Sequence, residues 1–139
     1  DGWKARAGTP SMQFHLSLPL SAASQGRISI ERLVEATSTA PARIFGLIDK
    51  GGIRVGAHAD LVIADLDQEM VIRGGEVLSL TGRTPYAGEK LGGVPRRTMV
   101  RGRTVDVDGK MVGEKGWGKQ ALAKYPAKHS DTTAAKRAA

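Results

Sequence analysis

The clearest hydrophobic pattern lies between residues 29 and 47, where Ile30, Leu33, Val34 and Thr37 recur at helical spacing. Ser29 is placed to cap this helix, and Glu31 falls in the first turn, where the helix dipole favours an acid. "TAPARIFGL" begins another short helix, with Pro41 in its first turn and Gly46 at the left-handed position that ends it. Upstream, Phe14, Leu16, Leu18 and Leu20 alternate with polar residues, which is a strand signal. Pro19 argues against a central strand and is tolerated early in a helix, so a helix over residues 16–23, ending at Gly26, is the preferred reading.

From residue 50 the punctuation changes to that of strands. In "GGIRVGAHADLVIADLD" β-branched residues are bracketed by glycines, and Leu61, Val62, Ile63 and Ala64 are all apolar, which predicts a strand covered on both faces. "EMVIRGGEV" offers a second strand. "RTMVRGRTVDVDGKMVG" reads as a hairpin or bent pair of strands turning at Arg101-Gly102 and Asp108-Gly109. "LTGRTPYAGEKLGGVP", rich in Gly and Pro, reads as a loop that is long for a compact domain.

Composition narrows the function classes. The chain has 139 residues, enough for one ordinary domain, and no cysteine, which excludes disulfides and thiolate metal sites. It begins at Asp1 and is read as a piece of a longer polypeptide. No apolar run approaches a membrane span, and the first residues lack the apolar core of a signal peptide. The net charge of +7 would suit a nucleic-acid binder, but residues 119–139 carry +4 of it, in a polar tail read as disordered. Aromatics are 4% of the chain, too few for a base-stacking platform. Neither nucleic acid nor membrane is expected as a partner.

The order of the pieces says more than any one of them. "AGTPSMQFHLSLPL", "GRISIERLVEATSTAPARIFGL", "KGGIRVGAHADLVIADLD", "TPYAGEKLGGVPRRTMVRGRTV" and "GEKGWGK" follow one another, and together they resemble the C-terminal end of the cyclic amidohydrolases: dihydroorotases, allantoinases and hydantoinases. The resemblance implies an α/β fold, with residues 1–49 as the last loop and closing helices of a (β/α)8 barrel. Residues 50–118 would be C-terminal strands of a small β-sandwich, and residues 119–139 the tail. It implies a cytoplasmic, oligomeric enzyme that opens a small cyclic amide. Zinc or another divalent metal would be held by histidines, an Asp and often a carboxylated Lys upstream of this chain, and would supply the attacking hydroxide. The implied catalytic and metal-ligating residues within this chain are none. A non-catalytic relative that keeps the same fold for assembly or protein binding is the alternative.

Two candidate sites follow. In "RAGTPSM" the resemblance makes Ala7, Gly8, Thr9 and Pro10 a loop that touches the ring substrate through its backbone, as barrel-end loops do. This loop is closer to that of dihydroorotases and allantoinases than to the Asn-containing loop of hydantoinases. His58 and Asp60 form an H-x-D pair that could share a metal, but a third ligand is lacking nearby, and the family pattern has an acid where His58 stands. The pair is therefore read as architecture, with Asp60 and Asp65 bracketing the strand. His15 is read as a hydrogen-bonded residue on an apolar helix face, Trp3 as packing, and Tyr86 as a loop anchor with a buried ring. There is no phosphate loop and no G-x-S-x-G nucleophile turn.

Overall fold

A computed structural model of the chain describes residues 11–80 and 82–123. Helices come first and a sheet follows. After a 3-10 turn at Met12–Phe14, helix α1 spans Ser17–Ser24, close to the range expected from sequence. It ends in a Schellman motif: the Arg27 amide donates to the Ala22 carbonyl and the Gly26 amide to that of Ala23, both at 2.9 Å. Gly26 supplies the required left-handed backbone at φ 69°.

Helix α2 (Ile30–Val34) starts as predicted, with the Ser29 hydroxyl accepting from the Arg32 amide at 3.2 Å. Its own amide and the Ser29 hydroxyl hydrogen-bond the Glu31 carboxylate and hold it below the ordinary carboxylate range. The chain does not break before the next helix, α3 (Ala40–Ile44); a π turn at Glu35–Thr39 joins the two. Pro41 has no amide hydrogen to give the preceding turn, and the wider π turn accommodates it without a loop. A second Schellman motif closes α3 at Gly46, with the Leu47 amide bonded to the Ala42 carbonyl at 2.8 Å.

Four strands, β1 (Leu61–Val71), β2 (Lys90–Val100), β3 (Arg103–Val107) and β4 (Lys110–Met111), form one antiparallel sheet in the order β1-β2-β3-β4. Both tight turns fall where the sequence placed them. Arg101 and Gly102, and Asp108 and Gly109, have positive φ at both turn positions, the geometry of a type I′ hairpin.

Four expectations are corrected. "LVIAD" and "EMV" are not separate strands but parts of β1. Asp65 does not end that strand: its Oδ1 accepts from the Asp67 and Gln68 amides at 3.1 and 3.2 Å, making a bulge within it. "KLGGVP" is not loop but the first half of β2, and its glycines are there for close packing. A Cβ on Gly92 would stand 2.4 Å from Ser24 Oγ, and one on Gly93, at φ 80°, would stand 3.1 Å from the Leu20 Cβ. Helix α1 lies directly on this part of β2. Finally, the described residues do not cover β1 on both faces: Val62 and Ile63 are 45% and 53% exposed.

The core is small. Phe14, Ile72 and Leu91 are buried together, with Leu18, Met70, Val77 and Tyr86 packed around them. Tyr86 packs against this core from the loop between β1 and β2, but it is half-buried rather than buried as expected. Buried Ser21 accepts hydrogen bonds from the Gly92 amide and from Gln25 Nε2, each at 3.2 Å, so the helix–strand contact leaves no polar orphan there.

Candidate functional site

The H-x-D pair sits where a short loop meets the sheet. Asp60 precedes β1 directly, and its carboxylate forms an ion pair with Lys50 while accepting from the Arg101 amide at 2.8 Å. Burial alone would raise the carboxyl's pKa. The hydrogen bonds from Lys50 and Arg101, with the charges of Lys50 and His58, outweigh it and hold the group below the ordinary carboxylate range. The His58 amide donates to the Asp49 carbonyl at 2.8 Å. Asp60 is therefore a tie between three segments: the loop at Lys50, the start of β1 and the β2–β3 turn. His15 is exposed beside the 3-10 turn rather than set in an apolar face, because Phe14 and Ser17 take the inward positions there.

Beside this tie, the helices and β1 enclose a groove of about 610 Å3. Leu20, Leu33 and Val34 line it from the helices; Ile53, Leu61 and Val62 line it from the other side. Ile53 and Val62 present large apolar surfaces to solvent.

A third feature, which sequence reasoning missed, joins the turn before α1 to the loop after β1. The Gln13 side chain spans to the loop after β1: its Nε2 donates to the Glu76 carbonyl at 3.1 Å, and its Oε1 accepts from the Leu78 amide at 2.9 Å. No local signal could have flagged it, since both partners lie more than 60 residues further along the chain. Trp117 was also missed as a contact. Its Nε1 donates to the Val100 carbonyl at 2.9 Å, and the guanidinium carbons of Arg101 and Arg103 lie 4.4 and 4.1 Å from its ring centroid.

The candidate substrate loop Ala7, Gly8, Thr9 and Pro10 lies outside the described residues, as do Trp3 and most of the tail.

The amidohydrolase family model matches residues 8–105. The chain belongs to the amidohydrolase family. Within it, the chain is 38% identical over 123 residues to an L-hydantoinase of Paenarthrobacter aurescens, covering 84% of this chain and 27% of that protein. It is 38% identical over 127 residues to a dihydroorotase of Methanothermobacter thermautotrophicus, covering 91% of this chain and 29% of that one. Its structure resembles that of an L-hydantoinase from Arthrobacter aurescens with a TM-score of 0.81 at 38% identity, over 86% of this chain and 27% of that one. A D-hydantoinase from a Thermus species matches with a TM-score of 0.72 at 37% identity, over 79% and 24%. This amidohydrolase chain thus spans about a quarter of the length of the relatives it matches.

The family generally uses divalent metals. Among the described residues no three of His, Asp and Glu come together as a metal-binding group, and Asp60, the best placed carboxylate, is committed to Lys50 and Arg101. The described residues do not fit a metal site, so no step of a metal-assisted reaction is assigned to them.

Proposed function

We propose that this chain is the C-terminal portion of a metal-dependent hydrolase that opens cyclic amides of the dihydroorotate, allantoin or hydantoin type. The observation that carries the reading is the family match across residues 8–105, joined to relatives named hydantoinase and dihydroorotase of which the chain spans about a quarter. The metal and its ligands belong to polypeptide outside this chain. Residues 1–49 contribute the last loop and closing helices of the barrel, and residues 50–118 contribute strands of the sandwich. Ala7, Gly8, Thr9 and Pro10 touch the substrate through their backbone. The complete enzyme is a cytoplasmic homo-oligomer.

Physical features of the chain favour this division of labour. One edge of β1 is unpaired among the described residues, and Val62 and Ile63 stand half exposed on an eleven-residue strand. A long edge strand with open apolar positions is an aggregation hazard unless something covers it. The groove between helices and β1 presents a second uncovered apolar surface. Strands and helices from the rest of the enzyme would satisfy both.

The test is a ring-opening assay on the purified 139-residue chain loaded with Zn2+, using dihydroorotate, hydantoin and allantoin in turn. No turnover above the metal blank is expected. Turnover by the chain alone overturns the reading.

A further inference from the structure

The turn between β3 and β4 carries a reactive dipeptide. Asp108 is followed by Gly109, and both residues hold positive φ, at 51° and 76°. In an Asp-Gly sequence the amide nitrogen after the aspartate has no side chain beside it, so it is open to attack the aspartate's own carboxyl. In the folded turn both reacting groups are occupied. The Asp108 carboxylate meets Arg96 Nε at 2.9 Å, and the Gly109 amide donates to Asp106 Oδ1 at 3.2 Å. Arg96 also holds the Asp108 main chain, because its carbonyl accepts from the Asp108 amide at 2.9 Å. Its Nη1 donates to Gln68 Oε1 in the β1 bulge, which steadies the guanidinium from the far side. The Arg96 and Asp108 side chains are both partly exposed, so water reaches the turn.

We propose that Asp108-Gly109 is a self-modification site that converts to isoaspartate, and that Arg96 is its guard. The Gly109 nitrogen forms a bond to Asp108 Cγ, and the carboxyl hydroxyl leaves with the amide proton as water, closing a five-membered succinimide. Water then adds to the former main-chain carbonyl of Asp108, and the bond from that carbonyl to the Gly109 nitrogen breaks. The chain now runs through the Asp108 side chain, and the original main-chain carboxyl is left free. One water leaves and one enters, so no oxidant, reductant or further reactant is needed. The product has one extra main-chain carbon inside a two-residue turn, whose length sets the strand register. The Asp106–Met111 and Val107–Lys110 pairs of β4 depend on that register, and the Val112 and Gly113 amides that donate to the Val105 carbonyl follow directly. Conversion therefore unpairs β4. The guard acts by occupying the carboxylate, which must swing free of Arg96 before the Gly109 nitrogen reaches Cγ.

The test incubates the complete enzyme at neutral pH and follows isoaspartate at position 108 by peptide mapping, in the parent, in Arg96→Gln and in the parent unfolded in urea. R96Q is expected to convert about two- to fivefold faster than the parent, the range that an exposed ion pair allows. The unfolded parent is expected to convert about tenfold faster or more, since the Gly109 hydrogen bond and the turn are then open as well. A second arm needs no variant. NaCl at about 1 M shortens the screening length to about 3 Å, and it is expected to raise the folded parent's rate toward that of R96Q while leaving R96Q and the unfolded chain unchanged. Conversion in the folded parent as fast as in urea, or no faster in R96Q than in the parent, overturns the proposal. Absence of isoaspartate at position 108 of the unfolded chain overturns it too. Should circular dichroism show that R96Q does not fold, the salt arm decides, and a parent rate that salt does not raise overturns the role of Arg96.

Discussion

The Asp60 carboxylate accepts a hydrogen bond from the Arg101 amide at 2.8 Å, across 41 residues of sequence. Lys50 completes the contact as an ion pair. Asp60 is thus a point where loop, strand and hairpin turn are tied, and its charged form is the one the fold favours. Its carboxyl pKa is depressed below the ordinary value of 3.8. The stabilisation is therefore fully present above that ordinary value and is lost as pH falls through the depressed folded value. Asp60→Asn is expected to cost about 1–2 kcal/mol at pH 7. Urea unfolding of the 139-residue chain across pH should show the gap between parent and variant closing in acid; a gap independent of pH contradicts the assignment.

The contact between α1 and β2 depends on two glycines. Gly92→Ala forces a methyl group to 2.4 Å from Ser24 Oγ, and Gly93→Ala adds a left-handed backbone strain to a 3.1 Å approach to Leu20. Each is expected to lower stability by about 1–3 kcal/mol. Ser24→Ala removes the oxygen that Gly92→Ala meets, so the double variant should recover part of the loss, a coupling that a double-mutant cycle measures. Additive effects would mean that helix and strand are not in this contact.

Arg101 occupies a left-handed turn position at φ 48°, where a non-glycine residue is strained. Its guanidinium also donates to the Trp117 carbonyl and lies over the Trp117 ring. Trp117→Ala is expected to cost about 1–3 kcal/mol, from two exposed cation–π contacts and the hydrogen bond to Val100. Trp117→Phe keeps a ring and loses the bond, and should cost less. Equal losses in the two variants, measured by chemical denaturation, would show that the ring contacts contribute nothing.

How much was legible beforehand depended on whether the determining contact was local. The Ser29 cap, the Gly26 and Gly46 helix ends and the Arg101-Gly102 and Asp108-Gly109 turns were all read correctly, because each is decided within a few residues. Gly92 and Gly93 were read as loop because glycine punctuates chains. Their actual reason is the surface of α1, some 70 residues earlier in sequence. Val62 and Ile63 suggested a doubly covered strand, and the described residues leave them half exposed. Asp60 was read as architecture from its lack of a third ligand, and its bonds to Lys50 and Arg101 give it a structural occupation. Gln13 carries no sequence signal at all, since a polar residue in a turn is unremarkable until its distant partners are placed.

Polyanion binding offers a check on the charge reading. Deleting residues 119–139 removes +4 of the net +7. Any affinity for DNA is expected to disappear with the tail and, before deletion, to fall steeply with salt. DNA binding by the truncated chain that resists 200 mM salt, seen in a gel-shift titration at about that concentration, would restore the nucleic-acid reading.

The central claim is that this chain is the scaffold-bearing end of an enzyme whose reacting groups lie elsewhere. Fragment complementation tests it most directly: the polypeptide encoded upstream and the 139-residue chain are purified separately, loaded with Zn2+, and assayed for ring opening alone and mixed. The account predicts turnover that appears only in the mixture and saturates at equal molar amounts. Turnover by the 139-residue chain alone, or by the upstream polypeptide at a rate that adding this chain does not change, contradicts it.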